Sequence, residues 1–174
     1  MGRSLRVLFV AGVAAATLVL PAAAPAAPPS TTFSVTGFEY AFTSTVGAFA
    51  GIGHGNAGDS ALWNTRVEHD PLGSKPTYIN GGWFQMGTLS KGGHADFVTG
   101  KYVHHGGTIT TLDPGANCTN QRFRVAGALE NVATTDSADG TGSFSAVLTH
   151  HRLRIFGRCI TYSATVAGIA RFSY

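Results

Sequence analysis

The sequence is poor in charged residues, which make up 12% of its 174 amino acids. This share is about half of that in an average soluble domain. Twelve lysines and arginines stand against nine acidic residues, but two of the basic ones, Arg3 and Arg6, precede an apolar run over residues 7–20. Without these two the net charge is about +1, which is too small a basic excess to favour a nucleic-acid partner.

The first 26 residues have the composition of a secretory signal peptide. The two arginines, the apolar run and the small-residue site Ala24-Pro25-Ala26 follow one another in the expected order. The run is shorter than the roughly 20 residues that a spanning helix needs, so an uncleaved membrane anchor is the weaker alternative. We therefore predict a signal peptide over 1–26 and a secreted, extracellular domain over 27–174, with no membrane span after the signal is removed.

Helical periodicity is absent after the signal, and alternation of apolar and polar residues takes its place. Phe123, Val125 and Leu129 alternate with charged neighbours, which is typical of a strand with one buried face. About eight such segments are separated by short turns rich in Gly, Asp and Pro. We predict an all-β fold, a single antiparallel up-and-down barrel in which closure removes the exposed edges; a β-sandwich is the alternative.

Only two cysteines are present, Cys118 and Cys159. In a meander of the last three predicted strands, both lie at the same end of the sheet. Two strand spacings would separate them by about 10 Å, so the loop around Cys118 has to fold in before a disulfide can form. We predict this disulfide, which would stabilise the fold by roughly 3–4 kcal/mol in the chain-entropy model.

Sequence motifs for metal sites are lacking, although the chain contains two histidine pairs. The spacings of zinc fingers and of His-Glu-x-x-His do not occur, and we predict no metal and no cofactor. Neighbours on a strand point to opposite faces, so each pair sends one histidine inward. We expect His151 to point inward with Val147, Leu153 and Ile155, while either His104 or His105 takes the inward position.

Acid–base catalysis requires an inward titratable side chain, and three weak candidates exist. They are His151, His104 and Glu39, which lies between Phe38 and Tyr40 in a predicted strand. An inward Glu39 would be a candidate catalytic acid or base, whereas an outward Glu39 would be an ordinary surface residue. The pattern leaves both orientations open and favours the outward one.

Five of the domain's ten basic residues fall near the predicted disulfide, four of them on two adjacent strands and Arg158 in the adjoining turn. Arg122 and Arg124 begin one strand, while Arg152 and Arg154 end the next, so antiparallel pairing is expected to gather all four on the outer face. Such a patch could bind an acidic surface, a phosphate or a carboxylate. The competing interpretation is a solvated face on which arginine stems cover apolar neighbours.

The aromatic residues suggest a cavity. Trp83 and Tyr102 are candidates for lining a small ligand site in the barrel, although core packing would explain them equally. We predict a non-catalytic protein that binds a small apolar ligand or a surface partner. A cavity-type enzyme of cyclase or isomerase kind and an inert structural or interaction protein are the alternatives; the pattern does not decide the oligomeric state or exclude an enzyme.

Overall fold

Almost all of the described chain is extended. The computed structural model describes residues 30–89, 93 and 95–174, so the predicted signal peptide over 1–26 lies outside the described residues. A single turn of 3-10 helix, Ala116–Cys118, precedes β6. The strands are β1 (Ser30–Phe42), β2 (Val46–Gly55), β3 (Ser60–His69), β4 (Thr77–Leu89), β5 (Ala95–Asp113), β6 (Gln121–Ala133), β7 (Gly140–Ile155) and β8 (Arg158–Ser173).

The eight strands form one closed barrel. Each strand pairs antiparallel with the next in sequence. The barrel closes where β1 runs antiparallel to β8, from the pair Ser30 and Ser173 to the pair Phe38 and Thr165. The predicted up-and-down barrel is therefore confirmed, and the sandwich alternative is excluded because β1 and β8 share a continuous ladder.

The two ends of the barrel differ in what they carry. With an even number of strands, the chain enters and leaves the barrel at the same end, here called the terminal end. The opposite end, here called the mouth end, carries four connections: 43–45, 70–76, 114–120 and the turn 156–157.

Large apolar side chains fill the barrel interior towards the terminal end. Phe33 and Phe172 are almost fully buried, and the rings of Phe84 and Phe172 stack with centroids 5.2 Å apart. Alternation along β6 is as predicted, since Phe123 and Leu129 are buried and Val125 packs against the core. Burying a side chain of this size contributes roughly 1.5–3 kcal/mol, so these rings supply much of the driving force for closure.

The predicted inward face of β7 is wrong. Leu148 is buried and His150 is nearly so, whereas His151 contacts the outward Thr165. Leu153 and Ile155 are exposed because the hairpin of β7 and β8 continues beyond the rim at this point. These two residues therefore give no information about the core, although their alternation is that of a core strand.

The disulfide between Cys118 and Cys159 is present, as predicted, with the two Cα atoms 5.5 Å apart. The connection 114–120 folds in towards the β7–β8 hairpin, which brings Cys118 to the start of β8. The backbone N–H of Arg152 also donates to Asn120 Oδ1 at 3.3 Å. This end of the sheet is thus held by a covalent bond and by hydrogen bonds.

Within the part of the chain that the structure describes, no helix is long and apolar enough to cross a bilayer.

Candidate functional site

A cavity of about 330 Å³ lies inside the mouth end of the barrel. We call it the mouth cavity. Its walls are mainly aliphatic and aromatic, with three titratable side chains among them. The lining residues are Glu39, Phe42, Thr43, Ser44, Phe49, Val67, His69, Leu72, Ile109, Val125, Leu148 and His150.

A carboxyl and an imidazole meet on the wall of this cavity. Glu39 follows Phe33 and Val35 on the inward face of β1, so its side chain is only 5% exposed. His150 reaches it from β7, and its side chain is 12% exposed. Glu39 Oε2 lies 3.3 Å from His150 Nε2, within ion-pair distance but outside hydrogen-bond geometry. Nε2 is therefore a buried atom without a hydrogen-bond partner among the described residues.

The packing around the pair leaves space for it. The His150 ring meets the Phe123 ring edge to face, with centroids 5.3 Å apart. Gly47 lies opposite, where an added Cβ would come within 2.8 Å of both Glu39 Oε1 and the Phe49 ring. The absence of a side chain at Gly47 is thus what admits the carboxyl group, because any larger residue would displace it.

His69 is the third titratable residue of the mouth cavity. It ends the inward face of β3 and is buried. Its Nδ1 lies 2.6 Å from the carbonyl oxygen of Asp70, which can only accept, so Nδ1 carries the proton and Nε2 remains an acceptor in the neutral ring. No group of three or more His, Cys, Asp or Glu with a metal-binding arrangement occurs in the described ranges.

A second, smaller cavity of about 90 Å³ lies deeper in the barrel. We call it the inner cavity. Four residues line both cavities and form a neck between them: Phe49, Val67, Val125 and Leu148.

A polar contact crosses the wall of the inner cavity. Thr65 donates its hydroxyl to the carbonyl oxygen of Trp83 at 2.6 Å, so it accepts from the Tyr102 hydroxyl at 2.7 Å. Burial raises the pKa of Tyr102 to about 12, because the phenolate would have to exist without water, and the contact with Thr65 opposes this only in part. Tyr102 is thus a neutral donor inside the barrel.

The structure places the predicted aromatic candidates on different sides of the wall. Tyr102 lines the inner cavity as expected. Trp83 lies on the outer face, because the irregular pairing after Tyr78 sends Phe84 and Met86 inward instead. Trp83 therefore does not line a cavity.

The expectation that each histidine pair sends one side chain inward holds for the second pair, through His150 instead of His151, and is wrong for the first pair. His104 and His105 are both exposed, in a segment of β5 where the pairing with β6 is interrupted. Their rings stack on each other at 4.0 Å, and His104 Nδ1 donates to the carbonyl oxygen of Asn80. The extra residues of this bulge take both side chains out of the wall. His151 also points outward, with Nε2 2.9 Å from Thr165 Oγ1.

The predicted four-arginine patch does not form as one face. Arg122 pairs with Thr149, three residues before Arg152, so the two arginine pairs lie at different heights. Alternation also places Arg152 and Arg154 on the face of β7 that carries His150, opposite to the outward face of Arg122 and Arg124. Arg152 Nη1 instead donates to the carbonyl oxygen of Gly115 at 2.9 Å.

The sequence contained signals for the side chains that do meet. Val67 and His69 have the same parity on β3, which places His69 inward. Phe144, Ala146 and Leu148 share one parity and lead, with the same parity, to His150. The apolar residues of the protruding hairpin, which have the opposite parity, obscured this second signal.

The mouth cavity therefore combines apolar walls with one acid–base pair. Such a pair can hydrogen-bond to a single polar group of a ligand or exchange a proton with it. No protein-family model matches the chain, and no significant match to a curated protein or to a solved structure is found.

Proposed function

We propose that the protein binds a small, largely apolar ligand with one hydrogen-bonding group in the mouth cavity. The observation that carries this proposal is the juxtaposition of Glu39 and His150 in an otherwise apolar cavity of about 330 Å³. Ligand sites span about 300–1,000 Å³ and combine apolar walls with few polar groups, so this cavity falls among the smallest of them.

The chemistry of the pair indicates the ligand's polar group. The carboxylate form of Glu39 accepts hydrogen bonds only, while the imidazole of His150 donates from one nitrogen and accepts at the other when neutral. A hydroxyl group both donates and accepts, so it can contact both groups from the cavity side. An alcohol or phenol on an apolar skeleton is the ligand class that the cavity supports best.

Two fluorescent probes of nearly equal size test this proposal. β-Naphthol carries the hydroxyl group and β-methylnaphthalene lacks it. We expect the protein to bind β-naphthol about tenfold more tightly, since a well-placed hydrogen bond contributes roughly 1 kcal/mol or more. Replacing both Glu39→Leu and His150→Phe should abolish the preference and leave β-methylnaphthalene bound.

A second pair of variants tests the location. Val125→Phe fills the neck between the two cavities and should weaken both probes, whereas Thr110→Phe, at an exposed position of the neighbouring strand, should leave both unchanged. Failure of the wild-type protein to bind either probe, or equal binding by the Val125→Phe variant, would refute the proposed site.

A second candidate function is proton transfer within the bound ligand. Contact between a carboxyl group and an imidazole favours it, because one group can remove a proton while the other returns one. For a β,γ-unsaturated ketone, the Glu39 carboxylate would take the proton from the α carbon and the His150 imidazolium would protonate the γ carbon, giving the conjugated isomer. The proton on Glu39 would then pass to His150, 3.3 Å away, and restore the starting state. Formation of the conjugated isomer increases the ultraviolet absorbance, which gives the reaction rate. If the wild-type rate does not exceed that of the His150→Phe variant, the enzymatic function is rejected and the ligand-binding function remains.

The proposal places this activity outside the cell. The predicted signal peptide supports secretion, and so does the disulfide, because disulfides persist in oxidising compartments. Mass spectrometry of protein recovered from the culture medium should show a chain that begins at Ala27 and lacks two hydrogens. Retention of the chain inside the cell would contradict it.

A further inference from the structure

The β7–β8 hairpin protrudes from the mouth end. The last residue of β7 that pairs with β6 is His150, and the last of β8 that pairs with β1 is Thr165. Pairing between β7 and β8 nevertheless continues to Ile155 and Arg158. The hairpin therefore extends about 15 Å past the paired ends of β6 and β1, at 3.3 Å per residue, and connection 114–120 is bonded to it through the disulfide.

The tip of this hairpin is apolar and open to solvent. The Phe156 side chain is 100% exposed. Leu153, Ile155, Ile160 and Tyr162 are exposed around it. Apolar side chains that cluster in contact with water do not stabilise the fold, and an exposed apolar patch of this kind marks a contact surface.

The turn at the tip is also an unfavourable place for phenylalanine. Phe156 has a φ of 47° and Gly157 a φ of 76°, so both central residues of the two-residue turn are left-handed. Such turns strongly prefer asparagine before glycine, since a bulky side chain is strained in this region. Local stability therefore does not account for a phenylalanine here.

The charge of the hairpin has a single sign. From residue 140 to residue 173 it contains Arg152, Arg154, Arg158 and Arg171 and no acidic residue. Arg154 and Arg158 are exposed and lie within two positions of Phe156. Acidic side chains at the mouth end lie beside or in the other connections, at Glu68, Asp70 and Asp113, and not on this hairpin.

We infer that the hairpin docks the mouth end of the barrel on an anionic lipid surface. Phe156 enters the interface between headgroups and acyl chains, and Arg154 and Arg158 pair with lipid phosphates. Insertion of an apolar tip with arginines just behind it matches the layers of a bilayer, where apolar burial and attraction to anionic lipids add up. A groove on a partner protein would not require the apolar residues to lie at the tip with the arginines directly behind them.

The cavity opening lies on the same side. Phe42 and Leu72 line the mouth cavity and are 63% and 41% exposed at its rim. Docking by the hairpin would therefore bring the opening towards the lipid, from which an apolar ligand can enter without crossing water.

Co-sedimentation with vesicles tests this inference. The wild-type protein should bind vesicles of equimolar phosphatidylcholine and phosphatidylglycerol and should not bind phosphatidylcholine alone. Arg154→Gln and Arg158→Gln should each lower the partition coefficient about fivefold, and Phe156→Asn about tenfold or more. Phe97→Asn and Arg171→Gln, at exposed positions away from the mouth end, are the matched controls and should bind as the wild type does.

Three results would overturn the inference. One is the absence of binding to anionic vesicles. Another is equal binding by the Phe156→Asn and Phe97→Asn variants. The third is a doubled mass in lipid-free solution that Phe156→Asn abolishes, because the hairpin would then join two copies of the chain. Probe binding in the mouth cavity is measured without lipid, so either proposal can fail while the other stands.

Discussion

Replacing Tyr102 with phenylalanine removes the polar contact inside the barrel and leaves the ring in place. The hydroxyl of Tyr102 donates to Thr65 Oγ1, which itself donates to the Trp83 carbonyl. The Tyr102→Phe variant therefore loses one hydrogen bond, and Thr65 keeps its own acceptor. We expect the free energy of unfolding at neutral pH to fall by about 1 kcal/mol, the usual net value for a single bond of this kind.

The pH dependence distinguishes this contact from simple packing. Burial raises the pKa of Tyr102 from 10.0 to about 12 in the folded protein. The folded state thus holds the phenol proton more tightly than the unfolded state does. The contribution of this proton to the free energy of unfolding is complete below pH 10 and is lost as the pH rises towards 12. At roughly 1.4 kcal/mol per pH unit, the loss amounts to nearly 3 kcal/mol.

Guanidinium unfolding of the wild type and the variant across the alkaline range measures this loss. The wild type should lose stability more steeply than Tyr102→Phe, and the two curves should meet and cross as the pH rises. Tyr162→Phe removes an exposed hydroxyl group and is the matched control, which should follow the wild type. Parallel curves for the wild type and Tyr102→Phe would refute the argument from burial.

Three further changes have expected effects on stability. Phe156→Asn should raise the free energy of unfolding by about 1 kcal/mol, because asparagine tolerates the left-handed conformation; no gain in chemical denaturation would contradict the assigned strain. Replacing Cys118 and Cys159 by serine should lower it by about 4 kcal/mol for a loop of 41 residues, and an unchanged midpoint would show that the crosslink does not stabilise. Burial tends to raise the pKa of Asp96, but hydrogen bonds from Thr135 and from the Phe97 amide outweigh it and lower the pKa. The stabilisation that Asp96 provides is present above pH 3.8 and is lost as acid protonates the folded carboxylate. The stability of Thr135→Val should therefore fall less steeply with decreasing pH than that of the wild type. An equal fall in both proteins would exclude the Thr135 contact as the cause of the lowered pKa.

The architecture was predictable because it depends on pattern. Alternation in β6 and β8, short turns and the pair of cysteines each constrain the same closed meander. Closure requires only that β1 reach β8, and eight strands form a barrel narrow enough for side chains to fill. The disulfide followed from the same topology, since Cys118 and Cys159 lie at one end of three consecutive strands.

The candidate site was less predictable because its residues depart from that pattern. Phe38 and Tyr40 are exposed, so the polar residue between them is the inward one, the reverse of the usual rule. On β7 the apolar Leu153 and Ile155 have the outward parity, opposite to Leu148, and they lie past the rim of the barrel. Alternation assigns residues to two faces and cannot say which face is inside when both carry apolar side chains.

Residues that are not the most stabilising choice for their positions are concentrated at the mouth end. An eight-stranded barrel is just wide enough to be filled by side chains, so a cavity results from the residues that occupy the interior. Here Gly47, Glu39 and His150 stand where larger apolar residues would fill the space, as Phe33 and Phe172 do towards the terminal end. A strained, exposed phenylalanine lies at the same end. Sequences depart from local stability mainly at functional sites, so the mouth end is where the function is to be sought.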